Sequence, residues 1–337
     1  MAANIGGTAT LIGDPPNIMV GSAAHLSFTD FQINVTPPVL VMMVGLDILA
    51  RRRFAATLRR NAALAAAADT MPPITNRPLL IGMVWIGAAV LVRFLSHGFT
   101  GMPAAVPAVV GAAAALVLQD VLYLRSDQPS GDERRHGILE VIEREIEWPT
   151  LVFFALLSIL VGAAVDTGLI GALAHALERG ILVGRDAFGL GHTGTLIFAA
   201  ILVLWVAGIT SGLIDNIPFV AVSIPIVASL NAGLAGDSQV LWWALALGAC
   251  LGGNATPIGA SANVTTLDMA ARRGVRISFR EFLSVGVPVV LMSLTIATVW
   301  LIGYVALGNR IAAPLSLAAA ALRWMVRPLL TGVRTSA

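Results

Sequence analysis

An acid and an amide, Asp215-Asn216, sit within SGLIDNIPF (Ser211–Phe219), a stretch with apolar residues on both sides. An ionised carboxylate at the centre of a bilayer costs at least about 2.5 kcal/mol on insertion scales, so it belongs beside a polar cavity, a proton path or an ion. Asn216 adds a carbonyl acceptor and an amide donor next to it. A plainer role is compatible with this one: Asp215 can cap a helix that starts at the bend, accepting from backbone N–H groups.

A second set of chemistry-bearing residues occurs twice. GGTATLIGDPPNI (Gly6–Ile18) returns as GGNATPIGASANV (Gly252–Val264), identical at seven of thirteen positions and offset by 246 residues. Gly6, Gly7 and Gly13, with Gly252, Gly253 and Gly259, allow backbone to unwind where a side chain would clash. Unwound carbonyls can coordinate a cation, and half-helix N-termini favour an anion. Thr10, Asn17, Asn254, Thr256 and Asn263 add neutral polar groups suited to a hydrated or oxyanionic solute. The competing account is that Gly and Thr only let helices pack closely. Asp14 breaks the symmetry, since Ala260 takes its place in the second copy. It is either a proton or cation switch or the cap of a helix starting at Pro15-Pro16. The single cysteine, Cys250, reads as small packing material, and one thiol excludes a disulfide framework and a Cys-based zinc site. The five histidines fall in loops or at span ends, and Arg93 is placed to snorkel. No nucleophile, phosphate-cradling or metalloprotease motif is present, so an enzyme is not expected.

The elements that must position these groups are apolar. Of 337 residues, 57% are hydrophobic and 12% charged, with a mean hydropathy of +0.85. A soluble chain of this size needs more polar surface. Runs such as Leu79–Leu95, Thr195–Thr210 and Val285–Leu307 approach the roughly 20 residues that cross a bilayer. Shorter runs lie beside the repeated motifs, where broken helices and re-entrant segments are expected. All 21 basic residues are Arg and lie mainly between spans, which does not point to nucleic acid. Leu169–Gly184 reads as a helix on the membrane surface, and Glu140–Trp148 as an amphipathic lead-in to the next span.

Charge gives an orientation. Arg51, Arg52, Arg53, Arg59, Arg60 and Arg77 crowd a loop from Arg51 to Pro78, which the positive-inside rule puts in the cytoplasm. A second echo, Ser27–Phe31 and Ser278–Phe282, then falls outside in its first copy and inside in its second, where four Arg residues flank it. One motif on opposite sides marks inverted repeats. The expected architecture is an all-α polytopic membrane protein of the inverted-repeat transporter type, with a re-entrant hairpin and broken helices. Residues 1–50 end the first repeat and 51–78 form an Arg-rich cytoplasmic linker. Residues 79–307 make the second repeat, with a hairpin tip near 211–218 and an unwound loop at 252–263, and 308–337 are a C-terminal extension. The tip lies about 37 residues before Gly252, so the first repeat is expected to have its own hairpin ahead of Met1. On that expectation the chain is a piece of a longer transporter, or a half that serves as a partner subunit without transporting.

NIGGTATLIGDPPNIMVGSA (Asn4–Ala23), IEWPTLVFF (Ile146–Phe154), SGLIDNIPFVAVSIPIV (Ser211–Val227) and LGACLGGNATPIGASANV (Leu247–Val264) resemble the ion transporter superfamily. The nearest branch resembles the arsenite efflux pump membrane subunit and the melanosomal P protein type. Sodium/proton antiporters and the citrate and dicarboxylate transporters are more distant relatives. The resemblance implies a homodimer in the bacterial plasma membrane that works by elevator-like motion. For the arsenite-pump branch it implies a soluble ATPase subunit as partner. Carried over by position, the tip is Asp215-Asn216 and the unwound loops are Gly6–Asn17 and Gly252–Asn263. The function read from these residues is secondary transport of a small inorganic ion or oxyanion, with arsenite or antimonite as the named solute. No resident cofactor is called for, only a coupling H⁺ or Na⁺. Sodium/proton antiport and di- or tricarboxylate transport are the alternatives.

Overall fold

The computed structural model describes residues 1–67, 76–100, 105–124, 148–235 and 239–307, and among these it is all helical. The first helices are α1 (Ala2–Thr8), α2 (Pro15–Ala23), α3 (Phe28–Asn34) and α4 (Thr36–Ala67). Next come α5 (Arg77–Thr100), α6 (Ala105–Leu124), α7 (Trp148–Asp166) and α8 (Leu169–Phe188). The series ends with α9 (His192–Leu213), α10 (Asn216–Leu230), α11 (Val240–Gly252), α12 (Ser261–Arg272) and α13 (Phe279–Ala306). A π-helical turn, Asn231–Ala235, extends α10. The expectations for 140–147 and 308–337 lie outside the described residues. By length and composition, five described helices can cross a membrane, and up to seven spans result if each of two bent pairs is one span. One bent pair is α3 with the first part of α4, turned by 52°. The polytopic, all-helical architecture is therefore the observed one.

The described residues of 1–54 and 157–307 form one compact unit, and those of 55–156 a second. In the second, α5 packs on α6, and Gly82 and Gly111 lie under Leu118 and Val90 with no room for side chains of their own. In the first, α11 is the centre: all thirteen of its residues are buried. Its neighbours are α9 and α13 with α1, α2 and α10. Small residues permit the closest of these contacts. A Cβ on Gly248 would come within 2.5 Å of the Leu204 carbonyl, and one on Gly252 would collide with the carbonyl of Gly208. Van der Waals contact between such stripes is what binds helices where lipid competes equally for apolar surface. Trp243 of α11 meets the Phe31 ring edge to face, with centroids 5.1 Å apart.

One expectation changes. The chain does not leave helix at Arg51: α4 bends at Phe54, whose φ/ψ of −117/18 interrupts the helical geometry, and continues to Ala67. AATLRRNAALAAA is rich in strong helix formers, and charge on a helix is no barrier to its continuing. The Ser27 and Ser278 echoes have a local cause. In each the Ser hydroxyl accepts from the backbone N–H three residues on, at 3.2 and 3.3 Å, and the acid accepts from the Ser backbone N–H, at 2.7 and 2.8 Å. Both are capping boxes that start α3 and α13. The helix expected on the surface, α8, buries Ile170, Ala174, Ile181 and Gly184 along one stripe and packs on α9 and α10.

Candidate functional site

Each repeated motif is a helix that unwinds and restarts. α1 ends at Thr8 and α2 begins at Pro15; α11 ends at Gly252 and α12 begins at Ser261. The restarts match: Asp14 and Ala260 hold extended backbone before the new helix, with φ/ψ of −146/135 and −155/142. Pro15 suits the first position of α2, where an N–H would have no partner. The crossings also match. A Cβ on Gly7 would approach the Gly13 carbonyl oxygen to 2.5 Å, and one on Gly253 the Gly259 carbonyl oxygen to 2.6 Å.

The two asparagines hold these loops open. The Asn17 amide donates to the carbonyls of Gly7, Thr8 and Thr10 at 3.3, 3.1 and 2.9 Å. The Asn263 amide donates to Gly253 and Thr256 at 2.8 and 3.0 Å. Unwinding orphans carbonyls that a helix would satisfy, and a buried asparagine replaces the lost donors. Both amides are thus occupied inside their own loops. Losing three acceptor partnerships, Asn17→Ala should lower stability by on the order of 3 kcal/mol, read as a large drop in melting temperature in detergent. A melting curve like that of the parent would mean the loop keeps its shape without the brace.

The third part is the break between α9 and α10. The Asp215 carboxylate accepts from the Ile217 N–H at 3.1 Å, so the capping role is real. The loops reach this break from both sides. From the second loop, the Thr256 hydroxyl donates to the Gly212 carbonyl at 2.7 Å, and nearby the Ser211 hydroxyl donates to the Ala249 carbonyl at 2.6 Å. From the first loop, Asp14 stands at the N-cap of α2 but makes no side-chain cap. Its carboxylate instead accepts from the Asn216 amide at 3.4 Å, across 202 residues of sequence. Asn216 is the neighbour of Asp215, so this bond brings the first loop to the residue beside the capping carboxylate. Neither Asp14 nor Asp215 is in an ion pair with a basic side chain among the described residues. No group of three His, Cys, Asp or Glu side chains there could hold a metal ion.

Of the residues singled out in the sequence, Asp14, Asp215 and Asn216 come together, partly buried or buried. Gly7, Gly13, Gly253 and Gly259 form the two crossings, with Thr10 and Thr256 at their turns. Asn254 is fully buried; its side-chain carbonyl accepts from the Asn4 amide at 3.0 Å. Asn4 escaped the sequence reading because its counterpart across the 246-residue offset is Cys250, which does not resemble it. Cys250 is buried as expected, yet it also donates, to the Asn17 carbonyl at 3.3 Å.

Comparison with known proteins adds to this geometry. A family model described as citrate transporter (CitMHS) matches residues 1–248. The chain is 38% identical over 304 residues to an uncharacterized transporter of Mycobacterium tuberculosis strain H37Rv, a match covering 89% of this chain and 65% of that protein. A 46 kDa membrane protein of Mycobacterium leprae is 38% identical over 305 residues, with the same coverage. The P protein of Mus musculus is 33% identical over 234 residues, 68% of this chain and 26% of that protein. The chain therefore spans about 65% of the length of the mycobacterial relatives it matches.

Proposed function

Because the chain belongs to the citrate transporter family, an integral multi-pass membrane family and not an enzyme family, we propose that it is a secondary active transporter whose solute and coupling cation meet at Asp14, Asp215 and Asn216. The observation that carries this reading is the bond from Asn216 to Asp14, which joins the broken tip to the first unwound loop. Two acidic residues joined through Asn216, with no basic partner among the described residues, suit H⁺ or Na⁺ as the coupling ion. Gly7, Gly13, Gly253 and Gly259 leave backbone close to this point, and Thr10, Asn17, Asn254, Thr256 and Asn263 shape the loops around it. Read as inverted repeats, the two loops would work by alternating access; a homodimer in the bacterial plasma membrane is what the resemblance to the superfamily implies.

The solute follows from the same chemistry. An acidic site repels a free polyanion. It accepts a small cation, an uncharged oxyacid such as arsenite or antimonite at neutral pH, or a carboxylate accompanied by a cation. The last of these is the second reading, favoured by the family description, and makes citrate with its cation the solute. A soluble ATPase subunit belongs only to the arsenite alternative. The test is flux in proteoliposomes carrying an imposed pH, sodium or electrical gradient, with labelled citrate and arsenite offered separately. Gradient-driven accumulation of citrate supports the carboxylate reading, and movement of arsenite supports the oxyacid. Sodium-dependent proton movement with neither solute supports cation antiport, and no movement of citrate, arsenite or either cation would leave the chain a partner subunit that does not transport by itself.

A further inference from the structure

The hydrogen bonds that leave each loop obey the repeat. Asn4 and Cys250 are related by the same 246-residue offset as Asn17 and Asn263. The Asn4 amide, on α1, donates to the Asn263 side-chain carbonyl at 3.3 Å. The Cys250 thiol, on α11, donates to the Asn17 side-chain carbonyl at 3.3 Å. Each bond runs from one repeat to the asparagine that braces the other repeat's loop. All four residues are buried, with exposures of 6% for Asn4, 2% for Asn263 and 0% for Asn17 and Cys250. Thr8 and Asn254 also share the offset and lie beside the two donors: Asn254 accepts from Asn4, and Thr8 stands against the thiol, which the Asp14 side chain also faces.

An asparagine has one amide and one carbonyl, and here the two ends have different tasks. The amide fixes its own loop; the carbonyl is held by the other repeat. Releasing the carbonyl frees the side chain to turn, and the loop then loses its donor. We propose that Asn4 and Cys250 are equivalent positioning residues, which lock each unwound loop to the opposite repeat so that the two loops move as one body. The proposal rests on reading the loops as the two halves of a transport site, but its test does not require transport.

Cys250 is the chain's single cysteine, so maleimide labelling reports opening at one bridge while the other is altered. Asn4→Ala removes the other bridge. It removes two buried hydrogen bonds and should speed labelling of Cys250 in the full chain in detergent or nanodiscs by about tenfold or more. Asn4→Ser, whose hydroxyl is too short to serve both Asn254 and Asn263, should do the same if the alanine variant does not fold. Ser293→Ala is the control: that hydroxyl is equally buried but bonds only to the Val289 carbonyl of its own helix. It should label at the parent rate. Unchanged labelling in a folded Asn4 variant would overturn the proposal, because the bridges would then be independent. An equal rise in Ser293→Ala would also overturn it, by showing general loosening. Absence of flux from the parent protein would count against the transporter reading alone and leave this result standing.

Discussion

Gly253→Ala should abolish transport while the protein still inserts and can be purified. Its new methyl would lie 2.6 Å from the Gly259 carbonyl oxygen and 3.2 Å from the Ala260 side chain. Overpacking of this kind costs roughly 1–3 kcal/mol when neighbours can yield. Here they are held: the Gly253 carbonyl is bound by Asn263 at 2.8 Å, and a Cβ on Gly259 would itself meet the Ser211 carbonyl at 3.0 Å. The loop must reopen elsewhere, shifting the Thr256 contact to Gly212 next to the tip. Gly7→Ala meets the same obstacle, at 2.5 Å from the Gly13 carbonyl oxygen, and should fail in the same way. Gly303→Ala on α13 has nothing within 4 Å and should transport like the parent. Flux per milligram in liposomes, read beside melting temperature, checks all three. Normal flux from both loop variants would show that the crossings are not part of the working site.

Asp14→Asn should remove proton-driven accumulation of solute. Asparagine fills the same space and keeps an oxygen for the Asn216 amide, now 3.4 Å from the carboxylate, but it cannot carry a proton. Insertion should be unaffected, since a neutral side chain enters the bilayer more easily than a charged one. Asp215→Asn is the companion variant. Asparagine caps a helix as well as aspartate does, so the bond to Ile217 survives and only the charge is lost. It should also abolish coupled transport without preventing insertion. Unchanged proton-linked flux in either variant would take that carboxylate out of the mechanism, and the difference between the two would name the carrier.

The chemistry-bearing residues were legible because membrane depth makes polar residues rare, and a repeat makes them recognisable. Asp215-Asn216 and the two Gly-rich loops stand out for that reason. What the sequence did not disclose was direction. Asp14 had a cap and a switch to choose between, and only the packing of α2 against α10 turns its carboxylate toward Asn216. Asn17 and Asn263 looked like ligands for a solute because identity in register draws attention to the side chain. Their amides are drawn inward by carbonyls that unwinding left bare, a need visible once the backbone is known. Asn4 and Cys250 hold equivalent places with unlike side chains, so no comparison of letters pairs them. The length of α4 was misjudged because Arg density marks a membrane boundary but says nothing of where a helix stops.

The complete burial of α11 bears on how the protein is made. Thirteen residues rise about 20 Å, short of the roughly 30 Å of hydrocarbon. Released singly into lipid, the helix would leave the bare carbonyls of its loop without donors, and each costs several kcal/mol there. α11 therefore cannot be laid down as an independent span. It has to partition together with α9, whose Gly208 receives Gly252, and with α12, which carries the Asn263 brace. Biogenesis must hold this stretch of nascent chain beside the insertion machinery until the later helices emerge, so a stop codon or a cleavage just after Gly252 should yield a product that is cleared rather than a shorter stable one.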